Sequence, residues 1–169
     1  MTIYWKLAVA ALLIFMLAGC GGQSIPETAT PELKDVPKTE NTYRAQPPLP
    51  KVTAGNAELP AVQDSYCWDY LGCRDYVGGK AMYNGLSLTV IQPGEEVKIA
   101  LNYHPQPTTV EVAEIKEDNT YEAIPLAKDA FTAPTESGVY YYTFSANWMT
   151  GDGMYVLNQT SAVFALKIQ

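Results

Sequence analysis

The sequence predicts an all-β protein whose folded part is one antiparallel β-sandwich. Three observations indicate this fold class. Apolar residues recur at every second position between turn signals, whereas the helical period of about 3.6 residues is weak. No helical segment separates the predicted strands, which favours antiparallel pairing in two packed sheets. The folded part spans residues 61–169, about 109 residues, and this length suffices for one hydrophobic core.

The predicted strands follow one another at short intervals along this part of the chain. Glycine, asparagine and proline residues mark the turns between them. Pro105 and Pro107 place a loop after the second strand, because proline lacks the amide donor that a central strand needs. The predicted strands are residues 86–91, 97–103, 109–115, 121–126, 131–133, 139–148 and 161–168.

The strongest strand signal covers residues 139–148. Successive side chains of a strand point to opposite faces, so residues two apart share a face. One face of this strand is aromatic and apolar, and the other is about half polar. The apolar face consists of Tyr140, Tyr142, Phe144, Ala146 and Trp148.

The residues that lead into this strand carry a resemblance. Glu136, Gly138 and Tyr140 follow at intervals of two, which resembles the approach to strand F of immunoglobulin-like domains. The resemblance implies an immunoglobulin-like β-sandwich with Tyr140 as the tyrosine-corner residue, its hydroxyl bonded back to nearby backbone. Tyr142 stands where antibody domains have a cysteine, so their disulfide between the two sheets is absent.

The first 20 residues have the pattern of an export signal. Residues 7–16 are ten uncharged residues, too few for a membrane-spanning helix of ~20 residues but typical of a signal-peptide core. The following Leu17-Ala18-Gly19-Cys20 resembles the lipobox of bacterial lipoproteins. The resemblance implies that residues 1–19 are a lipoprotein signal peptide. Cys20 then carries acyl chains such as palmitate, which anchor the protein in the lipid bilayer at the extracytoplasmic face of the cell membrane. The alternative is an ordinary secretory signal that happens to contain Cys20.

Residues 20–60 predict a lipidated cysteine followed by a disordered, proline-rich linker. Residues 21–60 hold seven of the chain's 12 prolines and few large apolar side chains, so they cannot offset their own conformational entropy by burial. Pro47-Pro48-Leu49-Pro50 indicates a stiff spacer. The alternative is a ligand for a proline-binding domain.

The charge balance argues against nucleic acid as a partner. Lys and Arg number 11 against 18 Asp and Glu, and the net charge is −7 at pH 7. Such a surface repels nucleic acid and anionic lipid, and the sequence has no basic cluster.

The remaining cysteines predict a disulfide. With Cys20 lipidated, Cys67 and Cys73 are left as a pair in an oxidising compartment. The alternatives are a redox pair, which usually has two intervening residues rather than the five found here, and a metal site, which needs further ligands.

The sequence predicts no enzyme, no cofactor and no metal site. His104 is the single histidine, and no Gly-x-Ser-x-Gly or Ser-x-x-Lys motif occurs. The alternative is a hydrolase or a copper-handling exported protein that uses His104, with Met149 and Met154 as further copper ligands.

The aromatic residues around the two cysteines have two interpretations. They form either a satellite of the core that caps the sandwich or a binding face, because tyrosine and tryptophan supply contact area at low entropy cost. The predicted face consists of Tyr66, Trp68, Tyr70, Tyr76 and Tyr83.

A second resemblance extends over the folded part. The residues that carry it are Tyr66-Cys67-Trp68, Cys73-Arg74-Asp75-Tyr76, Pro93-Gly94-Glu95, Gly138-Val139-Tyr140-Tyr141-Tyr142 and Trp148. The chain is similar here to small exported proteins of Gram-positive bacteria, a group without an assigned activity. Together with the fold, linker and aromatic residues, it favours a non-enzymatic binding or interaction module of the cell envelope, with a surface protein or wall glycan as partner.

Overall fold

The computed structural model describes residues 46–169, which form eleven strands and two short 3₁₀ helices. The 3₁₀ helices are Asp69–Leu71 and Gly79–Tyr83. The strands are β1 (Lys51–Ala54), β2 (Ala57–Leu59), β3 (Ala61–Trp68), β4 (Gly72–Arg74), β5 (Thr89–Ile91), β6 (Glu96–Ala100), β7 (Thr109–Ile115), β8 (Tyr121–Ala123), β9 (Ala130–Thr132), β10 (Gly138–Met149) and β11 (Val156–Ile168).

The strands form two sheets that pack as a sandwich, which confirms the predicted fold class. The first sheet has the order β2-β1-β6-β9 and the second has the order β4-β3-β11-β10-β7-β8. All pairings between strands are antiparallel except that of β5, which runs parallel to β11. The run β8-β7-β10-β11 matches the C′-C-F-G order of an immunoglobulin-like sheet, and the pair β6-β9 matches B-E on the facing sheet.

The core lies between the two sheets and is built mainly from alternate residues of the strands other than β4 and β8, which are exposed throughout. Val52, Leu59 and Val97 contribute from the first sheet, and all three are buried. The second sheet contributes stacked rings, with the centroids of Tyr142 and Phe164 5.2 Å apart. Each fully buried side chain of this size stabilises the fold by about 1.5–3 kcal/mol relative to an exposed one.

The outer face of the second sheet is also covered. Val163 and Ala165 of β11 are buried there against Tyr83, which the 3₁₀ helix Gly79–Tyr83 brings over the sheet. The Tyr83 hydroxyl donates a hydrogen bond to the Pro60 carbonyl oxygen at 2.8 Å. Burial raises the pKa of Tyr83 above its ordinary value. The centre of this sheet is therefore enclosed on both sides.

The predicted strands agree with the structure where alternation is clearest. Residues 109–115 form β7 as predicted, and the predicted strand 139–148 lies within β10. Two bounds differ. The predicted strand 97–103 ends at Ala100 as β6, and the last strand begins at Val156 rather than at residue 161.

The predicted start of the domain at residue 61 is wrong. β1 and β2 form a hairpin over residues 51–59 and belong to the first sheet, and Val52 and Leu59 are buried in the core. The hairpin has few apolar residues, but they are enough to attach it to the core because all of them lie on its inward face. Pro47, Pro48 and Pro50 are buried, so the prediction of a stiff spacer at this stretch is also wrong. The Pro48 carbonyl oxygen accepts a hydrogen bond from Thr160 Oγ1 at 3.4 Å.

The predicted signal peptide, Cys20 and the linker up to residue 45 lie outside the described residues. Within residues 46–169, no helix is both long and apolar enough to cross a membrane.

Candidate binding surface at the disulfide end

Three loops meet at one end of the sandwich, which we call the disulfide end. They are the loop between Cys67 and Cys73, the loop 101–108 after β6, and the turn 150–155 between β10 and β11. Strand pairing brings them together, since β11 lies between β3 and β10. Two hydrogen bonds then attach the first two loops to the strands β11 and β10. The Asp69 amide donates to Asn158 Oδ1 at 2.7 Å, and Trp148 Nε1 donates to the Pro105 carbonyl oxygen at 2.7 Å.

The disulfide between Cys67 and Cys73 is present, as the cysteine count predicts. The two residues are direct partners in the antiparallel pair β3–β4, and both are exposed. The bond closes the tight loop around the 3₁₀ helix Asp69–Leu71. Gly72 has φ of 68°, a conformation that glycine adopts without strain. Leu71 packs against the core, so the bond fixes a short cover over this end.

Three aromatic rings close the core under this cover, and we call them the aromatic trio. Trp68, Tyr103 and Trp148 meet edge to face, with ring centroids 4.9 Å apart for the two tryptophans and 5.3 and 5.4 Å for their contacts with Tyr103. Both tryptophans are buried. Such pairs contribute about 0.5–1.5 kcal/mol each beyond the area they bury.

The five aromatic residues predicted as one binding face do not lie on one surface. Trp68 is buried in the main core, and Tyr83 is buried in the cluster on the outer face of the second sheet. Tyr66 is half-buried, with its ring centroid 6.4 Å from that of Tyr76. Tyr70 and Tyr76 are exposed. The division arises because Trp68 points inward on β3, whereas the helix Gly79–Tyr83 carries Tyr83 to the other side of the sheet.

An exposed apolar segment lies beside the disulfide loop, outside the binding face that the sequence predicts. Met154, Tyr155, Val156 and Leu157 are consecutive and are 70%, 66%, 51% and 39% exposed. We call these four residues the apolar tip. The available signal was their position, directly after Thr150-Gly151-Asp152-Gly153, because a turn followed at once by large apolar residues displays them at the end of a hairpin.

The turn below the apolar tip is held by side-chain hydrogen bonds. Thr150 Oγ1 donates to Asp152 Oδ1, and the same oxygen accepts the Met154 amide at 3.0 Å. The Tyr155 amide donates to Thr150 Oγ1 at 3.1 Å. The hydrogen bonds from the Thr150 hydroxyl and from the Met154 amide hold the pKa of the Asp152 carboxyl below its ordinary value. The apolar tip is thus displayed on an ordered turn.

The described part of the chain also begins at the disulfide end. β1 is antiparallel to β6 with Lys51 opposite Ala100, so residues before Lys51 run toward the loop 101–108. The contact of Pro48 with Thr160 agrees with this path, because Thr160 is paired with Tyr66, close to the disulfide loop.

His104 is exposed on the loop 101–108, at a cis peptide bond to Pro105. Among residues 46–169, no three His, Cys, Asp or Glu side chains lie close enough together to hold a metal ion. Met154 is part of the exposed apolar tip. The alternative of a hydrolase or copper protein based on His104 stays a prediction.

Tyr140 lies at the opposite end of the sandwich, which we call the corner end. Its hydroxyl donates to the Glu136 carbonyl oxygen at 3.0 Å, the backbone contact that the resemblance implies. A Cβ at Gly138 would lie 3.2 Å from the Tyr140 ring, so glycine lets the ring fold over the turn.

The chain matches no protein-family model, no curated protein and no solved structure.

Proposed function

We propose that this protein is a lipid-anchored extracytoplasmic lipoprotein whose β-sandwich is a non-enzymatic binding module of the cell envelope. The resemblance of Leu17-Ala18-Gly19-Cys20 to a lipobox supports the anchor. The observation that carries the binding role is the apolar tip at the disulfide end. Four consecutive large side chains that could be buried in a core are instead presented to the surroundings.

The chemistry of the apolar tip suits protein recognition. Tyrosine and methionine are enriched at the centres of protein interfaces, and methionine adapts its shape to irregular partners. The hydrogen bonds of Thr150 and Asp152 fix the turn before binding, which lowers the entropy cost of association. A surface protein is the partner that these side chains favour, because a glycan offers few apolar faces to Met154, Val156 and Leu157.

The anchor is tested by the Cys20→Ala variant of the full chain. We expect the wild-type protein to incorporate an alkyne-labelled palmitate and to sediment with membranes. The variant should lose the label and leave the membrane fraction. Unchanged labelling or unchanged sedimentation would contradict the anchor and leave the binding role to be judged separately.

The binding surface is tested by site-specific photocrosslinking of the full chain in intact cells. A photoreactive amino acid at Tyr155 should yield a discrete crosslinked product. The same amino acid at Tyr121, which is exposed on edge strand β8, is the matched control and should yield none. Equal products at both positions, or none at Tyr155, would contradict the proposal. A product at Tyr155 that a glycan hydrolase removes would replace the protein partner with a wall glycan.

A further inference from the structure

A groove of about 340 Å³ opens on the flank of the sandwich, away from the apolar tip. It lies between the end of β6 with its following loop, the turn before β9, and the facing strands β7 and β10. Its volume is at the lower end of the range for small-ligand sites. The residues that decide its chemistry are Lys98, Asn102, Gln106, Leu126, Lys128 and Phe144.

The floor of the groove is apolar. Phe144 is fully buried and closes it from the core side, and Leu126 is half-buried and packs against the same core. Such a floor accepts one aliphatic side chain and gains free energy by removing it from water.

The rim of the groove supplies one unmatched positive charge. Lys98 Nζ is already paired with Glu96 at 3.1 Å. Within residues 46–169, no ion pair is formed by Lys128, although the protein as a whole carries a net charge of −7. Asp129 stands beside Lys128 on the same rim. A cation with one neighbouring carboxylate suits a monoanion better than a dianion such as phosphate.

The backbone holds Lys128 in place over the groove. Lys128 and Asp129 have φ of 52° and 63°, the left-handed conformation that hairpin turns of two residues require and that Asn-Gly usually supplies. Reciprocal hydrogen bonds between Ala127 and Ala130, at 2.8 and 3.2 Å, close this turn. The Ile99 amide binds the Asp129 carbonyl oxygen at 2.9 Å and fastens the turn to β6. Strain of this kind is retained where the surroundings fix the conformation, and it clusters at ligand sites.

Two side-chain amides complete the polar side of the groove. Asn102 and Gln106 both line it, and Gln106 Nε2 donates to the Tyr103 carbonyl oxygen at 2.8 Å, which fixes that side chain. Amide groups pair with peptide groups, whereas an acyl chain would leave them without partners.

We propose that this groove binds the C-terminus of a peptide whose last residue is aliphatic. The side chain lies on Leu126, with the buried Phe144 beneath it. The terminal carboxylate meets the Lys128 ammonium, and the preceding peptide group meets Asn102 and Gln106. This site shares no residue with the apolar tip, so a failure of one proposal does not affect the other.

The test uses the full-length protein in nanodiscs of zwitterionic lipid and a fluorescein-labelled Gly-Ser-Gly-Leu peptide, read by fluorescence anisotropy. The free acid should bind roughly three- to five-fold more tightly than the C-terminal amide, which is the upper part of the range expected for one solvent-exposed charge pair. Lys128→Asn should abolish this difference. Asparagine tolerates the left-handed conformation well, so the variant keeps the turn. Lys51→Gln, which removes an exposed lysine outside the groove, is the matched control and should retain the difference.

Any one of four outcomes would overturn the proposal. The acid and the amide bind equally, Lys128→Asn keeps the difference, or Lys51→Gln removes it as well. Octanoate that displaces the peptide as strongly as unlabelled peptide does would also overturn it, because the site would then recognise an acyl carboxylate.

Discussion

The two ends of this sandwich are closed in different ways. At the corner end, the turn 92–95 and the segment 133–137 are joined through their backbones, with Gly94 bonded to the Pro134 carbonyl oxygen at 3.1 Å and the Ala133 amide bonded to the Glu95 carbonyl oxygen at 2.8 Å. The Tyr140 hydroxyl adds a bond to Glu136. At the disulfide end, the aromatic trio and the disulfide close the core, and the apolar tip extends beyond them.

The difference shows how one fold can keep its core closed at both ends and still expose apolar residues at one of them. Backbone hydrogen bonds close the corner end with little dependence on side-chain identity. Side chains close the disulfide end, so that its loops can vary in length and carry exposed residues while the core stays sealed. A binding role therefore fits the disulfide end, and the following substitutions test the contrast.

The largest effect is expected from Trp148→Ala. Removing this ring opens a cavity in the aromatic trio and deletes the hydrogen bond to Pro105, so the free energy of unfolding should fall by about 3–5 kcal/mol. Chemical denaturation measures the loss. Tyr155→Ala in the exposed apolar tip is the control and should change stability by less than about 0.5 kcal/mol. A loss below about 1 kcal/mol for Trp148→Ala would show that the trio does not close this end.

A smaller effect is expected from the disulfide. Changing both Cys67 and Cys73 to serine should lower the free energy of unfolding by roughly 2 kcal/mol, because the unfolded chain regains the entropy of a short loop. Both cysteines are exposed, so a reducing agent should destabilise the wild-type protein by a similar amount and leave the double variant unchanged. Equal sensitivity of the two proteins to reduction would contradict this prediction.

At the corner end, Tyr140→Phe should cost about 1 kcal/mol, the net value of one hydrogen bond. Thermal unfolding measures it. Tyr121→Phe removes a hydroxyl from an exposed edge strand and serves as the control, with no loss expected. If Tyr140→Phe costs no more than the control, the backbone alone closes this end.

The smallest effect is local and depends on pH. The folded-state pKa of Asp152 is lowered by the Thr150 hydroxyl, so the carboxylate stabilises the turn above the unfolded pKa of about 3.9 and loses this effect as pH falls through the lower folded value. The NMR signals of the Met154 and Tyr155 amides should shift over that acidic range. Asp152→Asn should remove the titration but keep the acceptor oxygen, whereas shifts that persist in this variant would assign them to another carboxylate.

Much of the fold could be predicted from period-two alternation. β7 and β10 have one face toward the core and one toward a half-polar environment, so their bounds agree with the sequence pattern. A proline-rich composition obscures the hairpin β1–β2 in the sequence. Its inward residues, Val52 and Leu59, are too few to stand out, and their burial depends on the neighbouring strand β6, which lies more than 40 residues later in the chain.

The candidate site could be predicted only in part. The Cys67–Cys73 bond follows from counting cysteines, but whether each aromatic residue is buried or exposed depends on tertiary packing. Trp68 and Tyr83 end on opposite faces of one sheet, and no pattern in their neighbouring residues indicates this. The turn signal at residues 150–153 indicates where the apolar tip begins, but no local pattern fixes how far the β10–β11 hairpin extends beyond the edge of the core.

Amide hydrogen exchange at the enclosed centre of β11 reports the global opening of the domain. Five consecutive residues, from Ala162 to Leu166, are fully buried, since β3 and β10 flank the strand and both faces of the sheet are covered. Their amide hydrogens should exchange with solvent only when the whole domain opens, whereas those of the apolar tip exchange through local opening. Any ligand that binds the folded state slows global opening by mass action. The exchange rate at Phe164 therefore measures the affinity of a partner wherever that partner binds.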